Sequence, residues 1–218
     1  MGPGLETVDA WADFLETGRR EVPESPVRPP LKQVPAMLRR RLTPVSELVV
    51  SSWFALCTDA EIDGAQLPHV FASAHGEIRI LENLLDVIHR EESLSPTEFC
   101  HSVHHTATGY LSLITGNRGI SRTVSAGSRT FHAGLVETMS LLSSGHHQLV
   151  VLTVADETVP AVFCDHLGIP AFAHAVSFVF ATLEETRTRM ATPCFQIEDV
   201  MKLDSETELF AFLRGGTA

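Results

Sequence analysis

The residues best suited to chemistry stand together in the stretch Ser121–Glu137, SRTVSAGSRTFHAGLVE. Ser128 lies where a β-prone run, Arg122 to Ser125, gives way through Ala126 and Gly127 to Phe131, Leu135 and Leu142 at helical spacing. A side chain on such a strand-to-helix turn projects from the sheet edge. The amides of the new helix lie close enough to polarise an oxyanion or a thioester carbonyl. That placement suits a nucleophile. It equally suits a residue that caps the helix, and without the pentapeptide G-x-S-x-G the residues alone leave both readings open.

A second group is rich in histidine. His101, His104 and His105 stand at i, i+3 and i+4 in a segment opened by Ser95-Pro96 and Glu98, which is expected to run as one helix to Gly116-Asn117. Such spacing can share a metal, but no acidic ligand sits at a fixed offset, so a metal is not the expectation. His132 follows Phe131 just beyond Ser128. Asp156 and Glu157 close an apolar run, where a catalytic protein gathers acids, yet a solvated pair ahead of Pro160 is the commoner outcome. Arg39, Arg40 and Arg41 are the only concentrated positive charge, either a solvated loop or a docking patch for an acidic partner, a carrier or another chain.

These residues need a scaffold, and the chain alternates strand and helix patterns. Thr43-Pro44 with Glu47 opens a helix expected to reach Thr58. His69 to Ser73 reads as a strand, and Ala74-His75-Gly76 turns it into a helix with Ile78, Leu81, Leu84, Leu85 and Ile88 on one face. Gln148 to Ala155 reads as a buried strand, Phe172 to Leu183 as another, and Ser205 to Leu213 as a closing helix. Upstream, Val8 to Leu15 forms a short amphipathic piece anchored by Trp11 and Phe14. Gly18 to Pro35, with five prolines, is expected to run extended over the surface. The domain division is therefore 1–35, an N-terminal segment and Pro-rich linker, and 36–218, a single α/β domain.

Four segments carry a resemblance: FASAHGEI at Phe71–Ile78, SPTEFCHSVHHTATGYLSLITGNRG at Ser95–Gly119, TVSAGSRTFHAGLVE, and VVLTVADETVP at Val150–Pro160. Their order over Ala36 to Phe163 resembles the N-terminal half of a β-ketoacyl synthase of the thiolase-like superfamily. In particular it resembles the short chain-length-factor-like homologues of bacterial aryl-polyene pigment clusters, of the xanthomonadin and flexirubin types. The resemblance implies a thiolase-like fold truncated to about half a ketosynthase, a mixed sheet with helices on both faces. Aligning TVSAGSRT on the family's elbow puts Ser128 at the position of its nucleophilic cysteine. A thiol reaches thiolate readily at a helix N-terminus, whereas a serine needs an adjacent base. The family's two further catalytic groups come from a C-terminal half not represented here.

The resemblance thus implies a non-catalytic subunit that pairs with an active ketosynthase in aryl-polyene, polyketide or fatty-acid-like biosynthesis and shapes the acyl tunnel. It would meet the acyl carrier protein only indirectly and bind no cofactor, with a large apolar interface toward the ketosynthase or a second copy. His101, His104, His105, Phe131 and His132 would line the tunnel or interface. The alternative is a serine acyltransferase or thioesterase with Ser128 as nucleophile and a nearby histidine as base.

Composition bounds both readings. A chain of 218 residues, 44% hydrophobic, with mean hydropathy +0.11, makes one globular domain with a full core. A formal charge of −11 argues against nucleic acid and anionic membranes as partners. The four cysteines are widely spaced without a CxxC pair, and no run reaches the eighteen or more apolar residues of a membrane helix. With no secretory segment at the start, free thiols and a cytoplasmic location are expected.

Overall fold

The computed structural model describes residues 31–164 and 172–182, with Ala10, Asp13, Thr17 and Glu185 as isolated positions. Apart from Ala10 and Asp13, the short amphipathic piece, like most of the Pro-rich stretch and the closing helix at Ser205–Leu213, lies outside the described residues.

A short turn of helix, α1 (Ala36–Arg39), leads into α2 (Pro44–Asp59). Thr43 caps α2 by accepting the Ser46 amide at 3.1 Å, and Pro44 occupies its first turn, where a missing N–H costs nothing. Four strands and the remaining helices follow: β1 (His69–Ala72), α3 (Ile78–His89), α4 (Pro96–His101), α5 (Thr106–Thr115), β2 (Ser121–Val124), α6 (Thr130–Ser143), β3 (Leu149–Asp156) and β4 (His174–Ala181). The sheet order is β2-β1-β3-β4. β1 runs parallel to both neighbours, with His69 opposite Ser121 and Val151, and β4 returns antiparallel on β3, with Thr153 opposite Ser177. The sheet is thus mixed, as expected.

Alternation along the strands sorts the core into two layers. Phe71, Val151, Ala155 and Ala175 face α2 and α5, where Val45, Val49, Val50, Trp53, Ala107 and Leu111 meet them. Val70, Ala72, Val150, Leu152 and Val154 face α6 and its Phe131, Leu135, Leu141 and Leu142. Helix α6 comes close to the sheet at Gly134, where a β-carbon would stand 2.8 Å from Leu152 Cδ1 and 3.0 Å from Ala72 Cβ. Leu31 and Val34 are buried in the α2 layer, so the last residues before Pro35 pack into the core instead of crossing the surface.

The histidine segment departs from expectation. It is not one helix: α4 ends at His101 and α5 begins at Thr106, with His104 and His105 in the turn between them. The Ser102 amide bonds back to the Glu98 and Phe99 carbonyls, closing α4. The three histidines therefore share no helix face.

Candidate functional site

The candidate site lies at the carboxyl ends of β1, β2 and β3, where three turns converge. After β2 the chain passes through Ser125 and Ala126 into one 3-10 turn, Gly127–Arg129, and then into α6. The elbow is locked from within. Thr130 Oγ1 accepts the Ala126 amide at 3.0 Å and donates to the Gly127 carbonyl at 2.7 Å. Gly127 takes φ +57°, the left-handed backbone that glycine adopts without strain. Ser125 Oγ donates to the Ala74 carbonyl at 3.1 Å and ties the elbow to the turn after β1.

Ser128 sits on this elbow, as its sequence context foretold. It is exposed, and among the described residues no side chain hydrogen-bonds its hydroxyl. Phe131 turns inward to the α6 layer, and His132, half-buried, meets the Phe131 ring edge-on at 6.1 Å.

The other histidines divide among separate partners. His101 Nε2 lies 2.9 Å from Tyr110 Oη, away from the elbow. His105 Nδ1 lies 2.7 Å from Thr123 Oγ1 on β2. His104 lays its ring over Gly76, whose missing β-carbon leaves the room: one there would stand 3.1 Å from the imidazole. His104 and His105 thus flank the convergent turns, while His101 does not. No group of three or more His, Cys, Asp or Glu side chains among the described residues is arranged to hold a metal ion. Arg40 and Arg41 are exposed beside α1, and Arg39 reaches the Leu31 carbonyl at 3.3 Å.

The acids at the end of β3 correct the sequence expectation of a solvated pair: Asp156 and Glu157 are both buried. The reason is a demand for acceptors. Asp156 takes the Ser73 hydroxyl at 2.8 Å and the Ala74 and His75 amides at 3.0 and 2.9 Å, so it builds the turn between β1 and α3. Glu157 accepts the Arg79 amide at 3.0 Å and faces its guanidinium at 3.7 Å. Burial holds the Glu157 carboxyl above its ordinary range, opposed by Arg79.

Glu77 was not foreseen as part of this end of the sheet. The Thr43 and Ser46 hydroxyls donate to Glu77 Oε1, so the residue before α3 pins the start of α2. Burial pushes its carboxyl up to about 7, with the Thr43 hydrogen bond opposing and the charge of Glu157 adding. The only sequence signal was an acid directly after a glycine at the mouth of an apolar helix.

Comparison with known proteins now has a geometry to attach to. The sequence profile of the β-ketoacyl synthase N-terminal domain matches residues 11–210. The chain belongs to this family. Solved structures agree on the fold of this ketosynthase-like chain. A chain of the ketosynthase (ApeO) and chain length factor (ApeC) complex from Xenorhabdus doucetiae superposes with TM-score 0.69 at 28% identity, over 83% of this chain and 74% of that one. A β-ketoacyl synthase from Burkholderia phymatum STM815 gives 0.62 at 15% identity over 78% of this chain, and the ishigamide ketosynthase/chain length factor 0.61 at 14% over 75%. This ketosynthase-like chain spans 49% of each of the latter two. No curated protein is significantly similar to it. No helix among the described residues is long and apolar enough to cross a membrane.

Proposed function

We propose that this ketosynthase-like chain is a non-catalytic subunit of the chain-length-factor kind. It pairs with an active β-ketoacyl synthase and shapes the space into which the growing acyl chain extends. The observation that carries the reading is the elbow itself: its backbone is built in full, yet it presents an exposed Ser128 to which no base among the described residues is hydrogen-bonded. The likeness to the Xenorhabdus complex adds support, because coverages of 83% and 74% make the two matched chains similar in length. Exposed apolar side chains on α3 and α4 supply a face for the partner. We assign His104, His105 and His132, around the elbow, to the acyl space, with the buried Phe131 supporting them from the α6 layer, and Arg39, Arg40 and Arg41 to a basic patch for a carrier or partner. An aryl-polyene pigment cluster is the biosynthetic setting we assign.

The test is reconstitution. Co-expression with a ketosynthase from the same genomic neighbourhood should give a one-to-one heterodimer by size in solution. Ser128→Ala should leave the activity of that complex within about twofold. A loss of a hundredfold or more, the scale on which deleting a nucleophile acts, would overturn the non-catalytic reading in favour of a serine acyltransferase or thioesterase.

A further inference from the structure

On the sheet face covered by α2 and α5, four polar side chains, one from each strand, stand in spatial order across the sheet. They are Ser121 on β2, His69 on β1, Thr153 on β3 and Ser177 on β4, and Ser52 of α2 continues the line. Ser52 Oγ donates to Ser177 Oγ at 2.8 Å, Ser177 Oγ lies 2.8 Å from Thr153 Oγ1, and Thr153 Oγ1 lies 2.9 Å from His69 Nε2. Trp53 meets the His69 ring edge-on at 5.0 Å.

A hydroxyl has one proton to give. Ser177 accepts from Ser52, and among the described residues Thr153 Oγ1 is the acceptor left for its own proton; with that bond made, the proton of Thr153 is left for His69 Nε2. Burial lowers the His69 pKa to about 3, with His105 adding, so the imidazole is neutral and its single proton must sit on Nδ1.

That Nδ1 is buried and has no partner among the described residues, and neither has Ser121 Oγ on the register-paired residue. Both line one cavity of about 20 Å³, along with Thr108, Ser112 and Asn117. The Asn117 amide is committed to the Leu67 carbonyl and the Gly119 amide, and the Ser112 and Thr108 hydroxyls donate to backbone carbonyls. A cavity above roughly 10–15 Å³ with two or more polar partners is large and polar enough for a water molecule. We infer that the hydroxyl relay from Ser52 holds His69 as the Nδ1–H tautomer, and that this N–H donates to a buried water shared with Ser121. The relay then spans the whole sheet, from the first-ordered strand to the helix behind the last.

The experiment is long-range proton–nitrogen NMR on the ¹⁵N-labelled full chain, alone or in its co-purified complex, with the His69 ring assigned through bonds. The expected wild-type pattern is a protonated Nδ1, a bare Nε2 and a cross-peak from the Nδ1 proton to a long-lived water. Ser52→Ala removes the donor that orients the Ser177 hydroxyl, so the relay can run either way and the Nε2–H form should appear beside the first. Ser121→Ala should weaken the water cross-peak. An Nε2–H ring in the wild type, a tautomer pattern unmoved by Ser52→Ala, or an Nδ1 proton with no water contact would each overturn the inference. If either variant fails to fold, the wild-type spectrum alone decides. None of these outcomes depends on which partner the chain binds.

Discussion

Glu77 is a carboxyl in the wrong place by ordinary standards: buried, beside a second buried acid, and held by hydroxyls instead of a cation. Its pKa of about 7 lies above the unfolded value of 4.5, so the folded state binds its proton more tightly. The stability this gives is fully present below pH 4.5 and is lost as the pH rises through 7, a loss on the order of 3 kcal/mol from the size of the shift. His69 acts the other way. Its pKa, lowered to about 3 from 6.5, gives stability that is present above 6.5 and lost as the pH falls toward 3. The difference between wild type and Glu77→Gln isolates the first effect. The variant should gain on the wild type in denaturant midpoint between pH 4.5 and 8, and a constant difference across that range would remove Glu77 as the titrating group.

Among the elements, α3 shows how a helix can be legible and still mislead. Its apolar stripe at Ile78, Leu81, Leu84, Leu85 and Ile88 was plain from spacing, and the helix forms. Yet only Ile78 and Leu84 are buried, while Leu81, Leu85 and Ile88 remain 45%, 46% and 55% exposed. Periodicity reports that a face is apolar; it cannot report what covers it. Phe99 on the adjoining α4, 61% exposed, extends the same surface. If this face receives the partner, Leu85→Glu with Ile88→Glu should abolish co-purification with the ketosynthase. The thermal midpoint of the chain itself should stay nearly unchanged, since exposed substitutions cost little. A complex of undiminished yield would move the interface elsewhere. The break between α4 and α5 was less legible, because the histidine spacing fits a helix and only backbone hydrogen bonds at Ser102 end it.

At the scale of the molecule, the strand-helix alternation and the apolar run of β3 announced the α/β class, motif order announced the family, and the resemblance to that family implied the mixed sheet. The elbow at Ser128 was legible for the same reason: small residues between a strand and a helix have few uses. What stayed hidden depends on contacts far apart in sequence. Asp156 and Glu157 read as solvated because nothing near them requires acceptors; the donors lie some eighty residues earlier. Thr153 and Ser177 drew no notice in their apolar strands, because their role needs His69 and Ser52 beside them.

The turn between β1 and α3 also bears on the order of assembly. Its amides at Ala74 and His75 are satisfied by a carboxylate 81 to 82 residues further along. A contact so distant carries a loop-closure cost that nearby residues do not meet, and such contacts form slowly. A chain emerging from the ribosome exposes this corner well before Asp156 exists, so the corner stays open until β3 docks. An isolated peptide of residues 66–92 should therefore leave the Ala74 and His75 amides exchanging freely with solvent, while the full chain protects them. Equal protection in the peptide would make the turn a local structure and its closure an early event.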